Sequence, residues 1–149
     1  MNKDEKWMSL ALEQAVKAEE EGEVPVGAIL IKDGILVAQA HNQPISTNDP
    51  TAHAEIQLIR AAGEKFKNYR LTGTSLYVTL EPCAMCLGAI MHARIKRIIY
   101  GAHDLKTGVC GSSENLMEAN CFNHKINLVS GVLKNESKQL LKNFFITRR

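Results

Sequence analysis

The sequence predicts an α/β fold, a mixed sheet covered by helices on both faces. Three observations predict it. Apolar segments of strand length alternate with amphipathic segments of helix length. An Asp33-Gly34 pair between two β-branched-rich runs marks a hairpin, and therefore an antiparallel pair, near the start. Strand–helix–strand units follow it, and such units pair strands in parallel. With 149 residues, 45% of them hydrophobic, the chain suits one domain, 1–149, with a substantial core.

The elements follow in order. Residues 4–21 place Trp7, Met8, Ala11, Leu12, Ala15 and Ala18 at helical spacing, and Gly22 is a natural stop. The run 24–40 holds the hairpin, and both arms are apolar enough to be covered on both sides. A loop rich in turn residues, HNQPISTNDPT, leads into a helix with Ile56, Leu58 and Ile59 inside. SLYVTL reads as a strand, and CAMCLGAIMHARI as a helix with Pro82 at or near its first position. KRIIYGA is the next strand and HDLKTGVCGSSENL a loop. KINLVSGVL gives the last strand and ESKQLLKNFFITRR the closing helix.

A net charge of +2 does not by itself announce a nucleic-acid partner, so any such footprint must be a local basic patch. No apolar run is long enough to span a membrane or, at the N-terminus, to act as a secretory signal. A cytoplasmic setting is therefore expected, where four cysteines serve as metal ligands or core thiols sooner than as disulfides.

Cys83 and Cys86 allow three readings: a zinc half-site, a redox dithiol, or packing. A lone His53-Ala54-Glu55 is an equally weak signal. Together they mean more. The cysteines are i and i+3 at a helix start, where free N–H groups favour thiolate. His53 also stands near a helix start. If the two starts face each other, one imidazole and two thiolates give a tetrahedral metal three ligands and leave one position open, as in catalytic zinc sites. Glu55 is then placed to act as the base. The redox reading leaves His53 and Glu55 without a role. His41, His92, His103 and His124 have no ligand spacing and read as ordinary polar residues, Cys110 and Cys121 as buried or semi-buried thiols.

His-x-Glu followed by Pro-Cys-x-x-Cys is the signature of the zinc-dependent cytidine deaminase superfamily. The stretches VPVGAIL, HNQPI, DPTAHAEI, GAHDLKTGVCGS and LLKNFFITRR make the chain similar, over nearly its whole length, to the bacterial-type tRNA-specific adenosine deaminases. The resemblance implies a three-layer α/β/α sandwich around a five-stranded mixed sheet. It implies one zinc ion per subunit on His53, Cys83 and Cys86, with Glu55 as proton shuttle. It implies that Asn42 contacts the flipped nucleoside and that Asp104 lies near the ribose and backbone beside the target base, that the protein is a homodimer, and that the substrate is a tRNA anticodon loop. The expected reaction is hydrolytic deamination of the wobble adenosine to inosine. The alternative is a deaminase of a free base or nucleoside such as guanine or cytosine, because those enzymes share AHAE and EPC-x-MC. A zinc module that only binds RNA would leave Glu55 idle. For RNA contact, Arg148 and Arg149 offer charge, and Phe144 and Phe145 offer rings for stacking, unless those rings are core.

Overall fold

The computed structural model describes residues 1–148. Helix α1, Lys3–Glu20, opens on a capping box in which Asn2 and Glu5 bond each other's backbone N–H groups. It closes at Gly22, whose φ of +80° permits the left-handed turn. There the Glu23 N–H donates to the Ala18 carbonyl and the Gly22 N–H to that of Glu19, a Schellman motif.

The hairpin follows as β1, Gly27–Lys32, and β2, Ile35–His41, joined at Asp33 and Gly34, both with positive φ. A one-turn helix α2, Pro44–Thr47, stands where only loop was expected. Then come α3, Ala54–Phe66; β3, Thr74–Leu80; α4, Ala84–Ala93; β4, Arg97–Ala102; β5, Asn127–Val129; and α5, Lys134–Thr147. The strand order is β2-β1-β3-β4-β5. β1 is antiparallel to β2 and β3, whereas β3, β4 and β5 run parallel. The mixed five-stranded sheet agrees with expectation. β5 is shorter than the run that suggested it.

The pleat divides the core in two. Leu30, Leu76, Val78, Ile98 and Tyr100 face one layer, packing with Leu58 of α3 and Leu87 and Ile90 of α4. Their strand neighbours Ile29, Ile31, Tyr77 and Ile99 face the other, with Met8 and Ala11 of α1. Trp7 packs half-buried against this second cluster. Gly27 lets α1 lie directly on β1, because a Cβ there would collide with the Ala11 carbonyl and the Ala15 amide.

The expected cover on both faces of the hairpin is complete for β1 and partial for β2. β1 is buried on both faces, but β2 is an edge strand: Ile35 is 65% exposed and only Ala40 in β2 is buried. β2 touches α3 on one face of the sheet, through Ala38 and Ala40, and α1 on the other, through Leu36, while Ile35 stays open at the hairpin end. No helix among the described residues is long and apolar enough to cross a membrane. The parallel strands β3 and β4 end on the same side of the sheet, and the chain's functional groups gather beyond their carboxyl ends.

Candidate active site

His53 and Cys83 occupy equivalent places: each is the N-cap residue of a helix, α3 and α4 respectively. That position usually belongs to Ser, Thr, Asp or Asn, whose side chain bonds the helix's own N–H groups. Neither His53 nor Cys83 makes a cap bond. Their side chains turn toward each other instead. Pro82 therefore precedes the N-cap, one residue outside the helix it was expected to open. Cys86 lies one turn into α4. Its sulfur is 3.4 Å from His53 Nδ1, and that of Cys83 is 3.7 Å from the same nitrogen. All three ligand atoms lie within 4.8 Å of one another. No other such group of His, Cys, Asp and Glu occurs among the described residues.

The three groups shift one another's protonation. Hydrogen bonding from the Cys86 thiol, seconded by His53 and the Cys86 N–H, holds the Cys83 thiol down to about 4. Cys86 is pushed up, first by donating to Cys83 and then by burial. His53 is raised, chiefly by its bond to Cys83. Without metal these groups share protons; a metal ion displaces such protons from its ligands. Two sulfurs and one imidazole suit zinc by softness and number.

Glu55, in the first turn of α3, is 4% exposed. Burial pushes its carboxyl up to about 7, against the pull of its own backbone N–H. A cation beside it would oppose that rise. Glu55 and two of the ligands open on a cleft of about 210 Å³. This is smaller than the roughly 300 Å³ at which drug-sized pockets begin, and suits one flat base. Val24, Val26 and Leu80 give it apolar walls. Asn42, Glu81, Asp104 and Thr107 give it polar ones. A larger groove of about 600 Å³ lies along residues 115–128 and contains none of the ligands.

Asn42 and Asp104 thus meet at one pocket, although 62 positions separate them in the chain. The Asn42 backbone is tied to the Val26 carbonyl, while its side-chain amide makes no hydrogen bond among the described residues. The Asp104 carboxylate already accepts from the N–H groups of Lys106 and Thr107 and from the Thr107 hydroxyl. Two buried carboxylates near the cleft were not singled out from the sequence. Glu23 accepts from the N–H groups of Ile45 and Ser46, fixing α2 beside Asn42. Glu81 accepts from the loop after β4. Glu81 follows the end of β3 directly and Glu23 stands just past the turn that ends α1, but nothing local names their distant partners.

The candidate RNA-contact residues divide. Phe144 is 6% exposed, and the Arg148 guanidinium lies 4.6 Å from its ring centre. Its faces are occupied, so it is a core residue and not a stacking platform. Phe145 packs edge-on against Phe144 and stays 51% exposed. Arg148 is exposed, and Arg149 lies outside the described residues. Cys110 is buried as expected, but Cys121 is exposed. Of the remaining histidines, His41 pairs with Glu21 and His124 lies 2.8 Å from the Ile95 carbonyl.

Comparison with known proteins points the same way. The MafB19-like deaminase family matches residues 1–149. A tRNA-specific adenosine deaminase of Haemophilus influenzae is 50% identical over 147 residues, 98% of this chain and 85% of that protein. The chain belongs to the tRNA-specific adenosine deaminase family. Its Bacillus subtilis member is 44% identical over 97% of this chain and 90% of that protein. A solved structure from a study of A-to-I editing by tRNA:A34 deaminases at the wobble position of transfer RNA superposes with a TM-score of 0.89. It is 45% identical, over 91% of this chain and 99% of that one. A Bacillus subtilis guanine deaminase matches less completely, with a TM-score of 0.65 and 41% identity over 69% of this chain and 66% of its own.

Proposed function

We propose that this chain hydrolyses adenosine to inosine at the wobble position of a tRNA anticodon. The observation that carries the reading is the buried Glu55 carboxyl beside the His53, Cys83 and Cys86 cluster at a base-sized cleft. Family membership supports adenosine in tRNA as the substrate.

His53, Cys83 and Cys86 would hold one zinc ion per chain. When bound, zinc supplies a Lewis acid that makes water nucleophilic near neutral pH. Glu55 takes the proton of the attacking water and passes it to N1 of adenine, while the water oxygen adds to C6. It then carries the remaining proton from the new C6 hydroxyl to the amino group, and the C6–N bond breaks as C6=O forms, releasing ammonia. Burial suits Glu55 to this work, because a carboxyl tuned near the working pH both accepts and returns a proton. The apolar walls hold the ring, and the free Asn42 amide can donate to or accept from the base or ribose. Asp104 is placed to contact the ribose at the rim.

The target base must leave its stack to enter so small a cleft. An anticodon loop makes that step cheaper than a duplex would. Phe145 and Arg148 are the proposed loop contacts, one ring for stacking and one charge for phosphate. A second copy of the chain, as in a homodimer, would extend that surface, and a tRNA substrate places the protein in the cytoplasm.

Metal-loaded protein is incubated with an anticodon stem-loop carrying a wobble adenosine, and the product is sequenced. Adenosine should be read as guanosine, and a chelator should prevent the change. Ammonia release from free guanine, cytosine and adenosine is measured beside it. Turnover of free guanine with none of the stem-loop would sink the reading.

A further inference from the structure

The loop 103–112 contains no helix and no strand beyond an isolated bridge at Cys110, yet two of its residues, Asp104 and Thr107, wall the cleft. Its shape is organised around one group. Glu81, 2% exposed, sits between the end of β3 and Pro82. Its Oε1 accepts from the Asp104 N–H at 3.1 Å. Its Oε2 accepts from the N–H groups of Cys110 at 2.9 Å and Ser112 at 3.2 Å. The Ser112 hydroxyl also donates to Oε1. Gly108 completes the wrap: a Cβ there would lie 2.5 Å from the Asp104 carbonyl oxygen and from Glu81 Cδ. The same stretch is stitched on by Glu81 N–H to the Ala102 carbonyl and by Val109 N–H to the Pro82 carbonyl.

We propose that Glu81 is a positioning residue for the substrate: its carboxylate fixes the 103–112 loop in the shape that presents Asp104 and Thr107 to the bound nucleoside. This rests on the deaminase reading above. The chemistry requires a carboxylate. Four donors converge on two oxygens, and only an acceptor at both ends satisfies them. An amide would turn an NH2 group toward at least one N–H donor. Glu81 has no ligand role, since its oxygens are already committed to the loop and it stands outside the cluster of His53, Cys83 and Cys86. It acts through the loop, and loss of the carboxylate should therefore weaken ground-state and transition-state binding together.

The test compares the unsubstituted protein with Glu81→Gln and Gly108→Ala, which disturbs the loop from its opposite side. Hydrogen exchange should show the Asp104, Cys110 and Ser112 amides protected in the unsubstituted protein and released in Glu81→Gln. The KM for the stem-loop should rise on the order of tenfold in both variants, with a smaller change in kcat. Zinc should stay at one per chain. Free-loop exchange of the three amides in the unsubstituted protein would overturn the proposal, as would an unchanged KM or zinc loss in parallel with the defect. Should Glu81→Gln not fold, the exchange pattern and the Gly108→Ala kinetics decide alone, by the same criteria. Inosine formation by the unsubstituted protein checks the deaminase reading separately.

Discussion

His53 and Cys83 stand where a helix would ordinarily place a cap, and their side chains leave the helix N–H groups uncapped to face each other. The lost caps cost about 1 kcal/mol each, a price for two ligands on rigid element ends. Glu55 shares that rigidity, two positions past His53 in the first turn of α3 and closed off from solvent. Glu55→Gln keeps the volume and removes the proton acceptor. Its turnover of the stem-loop should fall by on the order of 10² to 10⁴, the usual worth of a general base. Metal content and melting temperature should hold. Single-turnover inosine formation beside metal analysis reads both, and a rate near that of the unsubstituted protein would remove Glu55 from the proton path. The motif residues were legible in the sequence because their chemistry is carried by residue type and spacing. Glu81 and Glu23 were not, because a buried carboxylate is defined by amides 20 or more positions away.

At the scale of elements, two glycines set where α1 lies. Gly22 ends the helix in a left-handed conformation, and Gly27 lets the helix backbone rest on β1. Gly22→Ala should cost about 1 to 2 kcal/mol, the penalty for a Cβ in that conformation. Gly27→Ala should cost at least about 1 to 3 kcal/mol, because the new methyl meets main chain on both sides and α1 must move. Urea unfolding at constant m-value measures both. A Gly27→Ala protein as stable as the parent would mean that α1 is not seated as described. Element positions were read well from periodicity and from Asp33-Gly34. The cover on β2 was not, because apolar content alone does not distinguish an edge strand from a central one; sheet order does.

For the whole molecule, the site joins segments from five parts of the chain: the approach to β1, the turn after β2, the start of α3, the passage from β3 into α4, and the loop after β4. A metal held by His53, Cys83 and Cys86 would tie the starts of α3 and α4 together only in the folded state. Chelation should therefore lower the melting temperature, and zinc in excess should restore it. The stabilisation is about 2.7 kcal/mol when free metal is 100 times its dissociation constant. A melting temperature indifferent to chelator would argue against a metal centre at His53, Cys83 and Cys86. The far end of the chain makes a separate prediction. Arg148→Ala should weaken tRNA binding and reduce its salt slope by about one unit, whereas Phe145→Ala should weaken binding with the slope intact. An unchanged slope in Arg148→Ala would place that residue outside the interface.

The sequence by itself determined the strands, every helix but α2, and the grouping of His53, Cys83 and Cys86 with Glu55, because periodicity and donor chemistry are local properties of the chain. Tertiary structure alone decided that Phe144 is core while Phe145 is exposed, that β2 is the edge, and that Glu81 gathers the amides of a loop more than 20 residues away. Those outcomes depend on which surfaces meet. Burial and hydrogen-bond partnership arise only when segments distant in sequence are brought into contact.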